Sequence, residues 1–264
     1  MAYFFVDIES TGVDLEKDRI IQIAVLIQEN NSLRYFSDLC YTDTPITYSS
    51  MGIHHITPEM IEDKYWAYET DSYLALQERN TPTNYFISHS NGLDLEMLKG
   101  EGLECQMQIV DTKRCAEHIL KDAEDYKLQT LRYQYGLYKK ETQILETLGL
   151  DSIKPHDALG DAILHYLLFN LLLEKVNGNI KELIDLTTKP ILLEMVSFGK
   201  YKNKTSFEEL FNSNPNYLVW IYANMNMWED LEHTVEFWLK KDARLWQRAR
   251  EERKKKASVF RARS

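Results

Sequence analysis

Two carboxylates interrupt an otherwise apolar run near the start of the chain. Residues 3–9 (YFFVDIE) are rich in aromatic and β-branched side chains, which favour a half-buried β-strand. Side chains at i and i+2 of a strand point to the same face, so Asp7 and Glu9 should lie side by side. Like charges this close repel each other unless a cation neutralises them. The pair therefore indicates either a site for a hard metal ion such as Mg²⁺ or Mn²⁺, or two acids at a solvent-exposed strand end.

With 264 residues, the chain can form one large domain, or a medium domain followed by a small one. Its most apolar stretch, residues 162–173, is too short to cross a membrane. The acids at positions 7 and 9 also interrupt the N-terminus before the apolar part of a signal peptide could form. Three cysteines without a CxxC pair, Cys40, Cys105 and Cys115, indicate reduced thiols. We therefore expect a cytoplasmic protein with no membrane partner.

Turn-forming residues separate apolar runs along most of the chain. Strands are predicted at 3–9, 19–28, 33–41, 84–88 and 107–110, and helices from 58, at 66–79, from 91, from 111 and at 158–176. Strands first, and then strands alternating with helices, predict an α/β fold with a mixed sheet covered by helices on both faces. The helix at 158–176 is the most regular, and Asn177-Gly178 ends it.

Beyond Gly178 the periodicity loosens, and Pro190 opens a segment of a different character. We predict three parts: a first domain at 1–178, a small module at 190–238 and a basic helical tail at 239–264. The net charge of −10 hides this division, because residues 240–264 hold eleven Lys or Arg against three acids, a charge of +8, and residues 1–239 carry −18. The charge of the whole chain therefore does not exclude a nucleic-acid partner.

Two further segments place acidic side chains near the start of a helix. Asp94 falls in a first helical turn after the fourth predicted strand, where it either joins the first acidic pair or only complements the helix dipole. Asp161 lies one turn inside the long helix among apolar neighbours, so its carboxylate needs a partner. His156 precedes this helix, and Asp157 can serve as the N-cap. The histidine can approach the same site from its loop, or it is a capping residue beside an exposed acid.

Four carboxylates and one histidine together suit the hydrolysis of phosphodiester bonds by two metal ions. Two cations about 3.5–4 Å apart can activate a water molecule and stabilise the leaving oxygen. Such a site takes its acidic ligands from several elements of the fold. It also needs a general base that titrates near neutral pH, a requirement that histidine meets.

The order of these motifs resembles the DEDDh branch of the DnaQ-like 3′-5′ exonucleases. The shared pattern is Asp7-x-Glu9-x-Thr11-Gly12, followed by His89 with Asp94, and then by His156 with Asp161. Residues 18–24 (DRIIQIA) resemble the second strand of this family, and residues 53–57 (IHHIT) resemble its loop before the next helix. The resemblance implies a ribonuclease H-like fold, with a mixed sheet flanked by helices.

By resemblance, the acidic residues hold two Mg²⁺ or Mn²⁺ ions. Asp7, Glu9 and Asp161 would bind the metal on the side of the nucleophile. Asp7 would also bridge to the second metal, which Asp94 helps to place directly or through water. His156 would take a proton from the attacking water. A histidine five residues before Asp161, instead of a tyrosine four residues before it, is what marks the DEDDh branch.

The resemblance also implies contacts with the terminal nucleotide. Thr11 and Gly12 would bind this nucleotide through backbone groups, and His54 would line its pocket. Two positions depart from the usual pattern of the family, since Ser90 stands where Asn is common and His55 stands where many members have Gly. We expect neither departure to abolish catalysis.

The second module is similar to the small C-terminal domain of exonuclease X-like proteins. The similarity rests on residues 198–205 (FGKYKNKT) and 214–220 (NPNYLVW), with Asn203 in place of the usual Gly. Asn tolerates the left-handed conformation that a tight turn requires. Lysines alternate with Phe198 and Tyr201, which would suit backbone contact and base stacking with single strands. The alternative is a small hairpin with solvated lysines.

The resemblance predicts a metal-dependent 3′-5′ exonuclease that converts DNA into nucleoside 5′-monophosphates. Its partner would be nucleic acid with a free 3′ end, and the likeness to exonuclease X-like proteins favours DNA. One alternative is an RNA-trimming exonuclease or a proofreading subunit of a polymerase. The other is a module without catalysis that binds nucleic acid or a partner protein through residues 191–264. A module of that kind has no need of the four carboxylates and His156.

Overall fold

The acidic first strand lies at the centre of a mixed sheet. In the computed structural model, which describes residues 1–30, 32–152, 154 and 156–261, this sheet has five strands. They are β1 (Tyr3–Ser10), β2 (Ile20–Glu29), β3 (Ser32–Leu39), β4 (Tyr85–Ser88) and β5 (Gln108–Asp111). Their order is β3-β2-β1-β4-β5, with β1 antiparallel to β2 and parallel to β4. The mixed sheet predicted from the sequence is confirmed.

An irregularity in the ladder marks the acidic end of β1. Glu9 is paired with Gln22, but the next residue, Ser10, is paired with Ile20, so the register shifts between the two. An extra residue of this kind bends a strand and changes the direction of the side chains beside it. The extra residue here is Ile21, so β2 is the strand that bends, opposite the acidic end of β1.

Helices cover both faces of the sheet. They are α1 (Tyr48–His54), α2 (Pro58–Ile61), α3 (Asp71–Glu78), α4 (Gly92–Gly100), α5 (Thr112–Ile119), α6 (Leu128–Gln134), α7 (Glu141–Leu148), α8 (Ala158–Lys175) and α9 (Ile180–Thr188). Short 3₁₀ turns occupy Ala67–Glu69 and Leu137–Lys140. The long helix predicted at 158–176 is α8, and Asp157 caps it as expected, accepting a hydrogen bond from the backbone N–H of Gly160.

Three segments differ from the prediction. The helix expected at 66–79 is divided into a 3₁₀ turn and α3, because Thr70 between them is extended and caps α3. Residues 53–57, expected as a loop, begin inside α1, which ends where His55 adopts a left-handed conformation (φ 60°). The segment 178–190, where the periodicity loosens, contains α9, a nine-residue helix whose one buried side chain is Leu183.

Alternate side chains of β1 pack into two separate cores. Phe5 belongs to the core that includes Leu168 of α8, whereas Phe4 and Val6 pack on the opposite face of the sheet with residues of α3 and α4. Asp7 and Glu9 share the parity of Phe5, so both carboxylates face the side of α8. This placement follows directly from the pleat of the strand.

By its internal contacts the chain divides into two units, Met1–Thr188 and Lys189–Ser264. The second unit contains α10 (Phe207–Ser213), α11 (Pro215–Asn224), α12 (Glu229–Lys240) and α13 (Ala243–Arg261), with a 3₁₀ turn at Gly199–Tyr201. The first unit extends ten residues beyond the predicted boundary at 178 because it includes α9. The segment predicted as a separate tail from 239 is part of the second unit, since Ala249 of α13 is buried in its core.

The cysteines are distributed over both faces of the sheet. Cys40 and Cys115 are buried in opposite cores, and burial raises the pKa of each thiol to about 12. Cys105 is partly exposed, and all three thiols are free. Among the described helices, none is long and apolar enough to cross a membrane.

Candidate active site

The carboxylates singled out from the sequence meet at one end of the sheet. Asp7 and Glu9 project from the end of β1, and Asp161 projects from the first turn of α8. Oxygen atoms of these three side chains lie within 4.8 Å of one another, a spacing that can hold a metal ion. Asp94 is buried in the first turn of α4, which follows β4, the parallel neighbour of β1. The sheet thus brings together acids that are 154 residues apart in the sequence.

Burial raises the pKa of every one of these acids, and repulsion from neighbouring carboxylates adds to it. The pKa of Asp7 lies well above its ordinary value, first through burial and then through the negative charges of Asp94 and Asp161. Burial also leads in raising the pKa of Glu9 to about 8, of Asp94 to about 7 and of Asp161 to about 6. Packed acids of this kind are costly unless a cation lies among them, and hard divalent cations prefer carboxylate oxygens. The donor set therefore fits a divalent metal ion.

The loop that carries Asp94 into the site is held by a carboxylate of the neighbouring strand. Asp111, at the end of β5, accepts hydrogen bonds from the backbone N–H groups of Ser90 (3.0 Å) and Asn91 (3.3 Å). The side chain of Asn91, which immediately precedes α4, makes no capping bond. Ser90 itself has a left-handed backbone (φ 70°). The ring of His89 is fixed between Thr112 and the carbonyl of Tyr126.

His156 stands beside Asp161, in the loop that precedes α8. Its backbone N–H donates to Oδ2 of Asp161 (3.3 Å), and this contact helps to keep the pKa of Asp161 from rising further. The residue has a left-handed backbone (φ 57°) and is exposed to solvent. The side chain is thus available to a molecule in solution, while the backbone is tied to a carboxylate of the cluster.

Gln22 fastens the start of α8 to the sheet, a role that the sequence analysis did not identify. Its Nε2 donates to Oδ1 of Asp157 (3.0 Å), and its Oε1 accepts from the backbone N–H of Ala158 (3.2 Å). The residue is buried in β2 and reads in the sequence only as a polar interruption of an apolar strand.

A chain of hydrogen-bonded polar side chains, also not predicted from the sequence, holds one oxygen of the Asp161 carboxylate. Nε2 of Gln129 donates to Oδ1 of Asp161 (3.0 Å), and Oε1 of Gln129 accepts from Arg132 (3.2 Å). Arg132 in turn forms two hydrogen bonds of 2.6 Å with Glu141, and both of these side chains are about nine-tenths buried. The i, i+3 spacing of Gln129 and Arg132 on α6 was the available signal.

His165 is a further residue whose role was not predicted from the sequence. It lies one turn after Asp161 on α8 and is almost completely buried. Its Nδ1 donates to the carbonyl of Val6 (3.0 Å), and its Nε2 lies 3.8 Å from Oδ1 of Asp7. Burial lowers the pKa of this imidazole to about 3, so the ring is neutral and connects α8 to β1. The i, i+4 spacing from Asp161 would have revealed this residue.

The three residues predicted to contact the nucleotide are placed differently from one another. The backbone N–H of Thr11 donates to the carbonyl of Arg19 (2.9 Å), and the carbonyl of Thr11 accepts from Thr47 (3.3 Å). Both backbone groups of Thr11 therefore already have a partner within the protein. Gly12 packs so closely on Asp18 that a Cβ atom there would lie 2.3 Å from the carboxylate. The backbone of Thr11 thus stabilises the turn. A larger residue in place of Gly12 would require the side chain of Asp18 to move.

His54 offers a buried donor without a partner. Its Nδ1 accepts from the backbone N–H of Ile56 (3.0 Å), so the proton of the neutral ring is on Nε2. Among the described residues, nothing forms a hydrogen bond with this Nε2 atom. Burial lowers the pKa of His54, and the nearby carbonyl of Ser10 offsets part of that effect. An unpaired buried donor is costly, and a ligand oxygen would satisfy it.

Comparison with known proteins gives one consistent result. The exonuclease family matches residues 4–169 of the chain. Exodeoxyribonuclease 10 of Escherichia coli is 25% identical over 240 residues, which span 89% of this chain and 97% of that protein. The DNA polymerase III subunit epsilon of Treponema pallidum is 31% identical over 145 residues, 52% of this chain and 66% of that protein.

One solved structure has a fold similar to that of this chain. Exonuclease X in complex with 5′ overhanging duplex DNA matches with a TM-score of 0.52 and 20% sequence identity. The match covers 70% of this chain and 98% of the other. The ribonuclease H-like arrangement of a mixed sheet between helices is therefore shared by both.

Proposed function

The chain belongs to the exonuclease family and is a DnaQ-like 3′-5′ exonuclease, and from this premise we propose that it hydrolyses DNA from a free 3′ end into nucleoside 5′-monophosphates. The observation that carries the proposal is the gathering of Asp7, Glu9, Asp94 and Asp161 at one end of the sheet. The family is dependent on divalent metal ions, and this acidic cluster fits such ions.

In the proposed site, the four carboxylates hold two Mg²⁺ or Mn²⁺ ions. Asp7, Glu9 and Asp161, whose oxygens are closest together, would hold one ion, and Asp7 with Asp94 would hold the other. When bound, such a pair of ions activates water and stabilises the leaving oxygen of a phosphodiester. The raised pKa values of the ligands mean that binding releases protons, so affinity increases with pH.

We assign the role of general base to His156. A base must come within hydrogen-bonding reach of the water whose proton it accepts. The hydrogen bond from the backbone of His156 to Asp161 keeps this residue beside a proposed ligand, and its exposure leaves the ring free to move onto the water. The imidazole would accept a proton of the water as the new P–O bond forms, while the bond from phosphorus to the 3′ oxygen of the preceding nucleotide breaks and that oxygen leaves as the new 3′ hydroxyl, protonated by water.

Two groups are proposed to position the terminal nucleotide. The unpartnered Nε2–H of His54 would donate to an oxygen of the nucleotide. Gly12 allows a backbone to approach closely, and Thr11 holds that turn through its bonds to Arg19 and Thr47. The names of two relatives, exodeoxyribonuclease 10 and a DNA polymerase III subunit, support DNA as the substrate.

Digestion of labelled oligonucleotides tests this proposal. The full chain is incubated with single-stranded DNA and RNA of the same sequence, with Mn²⁺ or with EDTA, and with either the 3′ or the 5′ end blocked. We expect 5′-mononucleotides from DNA that has a free 3′ end, and none in EDTA. Faster release of nucleotides from RNA would replace DNA by RNA as the substrate. Cleavage of 3′-blocked DNA, or equal cleavage in EDTA, would overturn the proposal.

A further inference from the structure

Aromatic rings and lysines share one surface of the second unit. We call this surface, formed by Lys200, Tyr201, Tyr217 and Trp220, the aromatic–lysine face. The rings of Tyr217 and Trp220 on α11 are nearly parallel, with an interplanar angle of 11° and centroids 5.6 Å apart. Tyr201 meets Tyr217 at 61° with centroids 5.0 Å apart. Trp220 remains 49% exposed, so a flat ring system is open to solvent.

Lys200 and the two lysines that follow it in the same loop, Lys202 and Lys204, are not neutralised by carboxylates of the described residues. Nζ of Lys200 lies 4.8 Å from the ring centroid of Tyr201 and 5.6 Å from that of Tyr217. Within the described part of the chain, Lys200, Lys202 and Lys204 form no ion pair, whereas Lys240 and Arg253 of the same unit pair with glutamates. The lysines of the loop therefore keep their full charge for a ligand.

The loop that carries these lysines has a fixed shape. Gly199 has φ 62°, and a Cβ atom there would lie 2.9 Å from the hydroxyl of Tyr217, so only glycine allows this approach. Asn203 adopts φ 55°, the left-handed conformation expected from the sequence, and its N–H donates to the carbonyl of Val196 (2.8 Å). The hydroxyl of Tyr201 accepts from Asn214 (3.0 Å), the residue that precedes α11. A surface fixed in advance loses less entropy when it binds a partner.

Further cations lie along the same helix. Asn216, Trp220 and Asn224 are spaced four residues apart and therefore share one face of α11. Arg248 donates to Oδ1 of Asn216 (2.8 Å), and Lys256 donates to Oδ1 of Asn224 (3.0 Å). Arg248 also pairs with Glu252 (2.8 Å), so Lys256 is the cation of these two that adds net positive charge on the face of α11 that carries the exposed indole of Trp220.

The charge of the unit is consistent with an anionic partner. Residues 189–264 hold fifteen Lys or Arg against ten Asp or Glu, a net charge of +5, whereas residues 1–188 carry −15. Phosphates bind to basic surfaces by releasing counterions. Aromatic faces bind the bases of single strands, whereas the bases of a duplex are already stacked on one another.

We propose that the aromatic–lysine face binds single-stranded nucleic acid, with a base stacked on Trp220 and phosphates at Lys200, Lys202 and Lys204. The inference rests on the proposed function for its choice of polymer, but not on catalysis. It assigns a second contact with the substrate to a unit that contains none of the four acidic residues of the candidate active site.

Binding of a labelled single strand to the full chain tests this proposal. Fluorescence anisotropy is measured with an oligothymidylate of about 20 nucleotides, long enough to cover an aromatic binding site. EDTA is present throughout, so that binding is separated from metal-dependent cleavage. We expect Trp220→Ala to weaken binding about tenfold, the order of magnitude of one lost base stack. The matched control is Trp228→Ala, which removes an indole of the same 49% exposure beside the acidic start of α12.

Salt dependence separates the lysines from the rings. Replacing Lys200, Lys202 and Lys204 together by Ala should reduce the slope of log affinity against log salt by about 2, since each phosphate contact on a single strand contributes about 0.7. Circular dichroism would check that the variants fold. Affinity of Trp220→Ala equal to that of the wild type would overturn the proposal, as would tighter binding of duplex than of single strand. A wild-type chain that binds in this Trp220-dependent manner but cleaves nothing with Mn²⁺ would overturn the proposed function alone.

Discussion

The two units of the chain distribute charge in opposite ways. The first unit carries −15 and gathers four buried or partly buried carboxylates at the end of a sheet, where each has a raised pKa. The second unit carries +5 and exposes its lysines beside aromatic rings. Carboxylates packed this closely repel one another and therefore bind a small cation strongly, whereas exposed cations and rings suit a long flexible anion. This difference supports the proposal that the first unit catalyses the reaction and that the second unit binds the substrate.

Removal of the proposed base should strongly reduce turnover and should leave the second unit unaffected. We predict that His156→Ala lowers kcat about 10³-fold, within the range observed for the loss of a general base. Mn²⁺ binding and circular dichroism should be unchanged, since His156 is exposed. The matched control is His233→Ala, an exposed histidine of α12 in the second unit. A kcat for His156→Ala within twofold of the wild type would remove this residue from the mechanism.

Ion pairs should contribute to stability very differently in the two units. We predict that Arg132→Leu destabilises the first unit by about 3–5 kcal/mol, because the almost buried Glu141 loses its partner. In the second unit, Arg253→Leu breaks a pair with Glu232 whose side chains are 45% and 38% exposed, and it should cost about 1 kcal/mol or less. Urea unfolding of the full chain measures both values. Equal costs for the two variants would contradict the contrast between the units.

The acidic cluster should make the metal-free first unit less stable as the pH rises. The folded pKa values of about 6, 7 and 8 for Asp161, Asp94 and Glu9 exceed the ordinary values of 3.8 to 4.5, so the folded state binds protons more tightly. Stability is therefore retained at low pH and is lost as the pH rises through this range. In EDTA we expect the Tm to fall by roughly 5 °C between about pH 5 and about pH 8, and Mn²⁺ to restore it. A Tm in EDTA that rises over this range would contradict the burial of these acids.

Loss of the support behind Asp161 should have a smaller effect. Gln129→Ala removes the hydrogen bond to Oδ1 of Asp161 and leaves the carboxylate free to rotate. Such supporting contacts are worth about 10- to 100-fold in metal affinity or activity, and we expect the lower end. Mn²⁺ affinity provides a readout apart from turnover, and the exposed Gln143→Ala is the matched control. Unchanged Mn²⁺ affinity in Gln129→Ala would show that Gln129 does not position Asp161 for metal binding.

The sequence predicted elements that are defined locally. The strand with Asp7 and Glu9, the cap at Asp157 and the left-handed Asn203 follow from short patterns and intrinsic conformational preferences. The division of the helix at 66–79 was missed because Thr70 reads as an ordinary helix residue until its capping bond to α3 is seen.

Contacts between distant elements could not be predicted in the same way. Gln22 meets Asp157 across 135 residues, and Gln129 meets Asp161 across 32. Neither contact follows from a recognisable motif. The i, i+3 spacing on α6 links Gln129 to Arg132 but does not point to Asp161, so the packing of α6 and α8 beside the sheet is what reveals both contacts. The hydrogen bonds of the Thr11 backbone with Arg19 and Thr47 likewise required coordinates.

Mn²⁺ binding and DNA cleavage by one set of proteins provide the most direct test of the proposed metal site. Electron paramagnetic resonance near neutral pH would compare the wild type with Asp7→Asn, which loses one buried carboxylate, and with Asp63→Asn, whose side chain is 73% exposed. We predict that the wild type and Asp63→Asn bind Mn²⁺ and release nucleotides from DNA, whereas Asp7→Asn retains its fold and does neither. An Asp7→Asn protein that binds Mn²⁺ and cleaves DNA as the wild type does would contradict the assignment of the acidic cluster as the catalytic metal site.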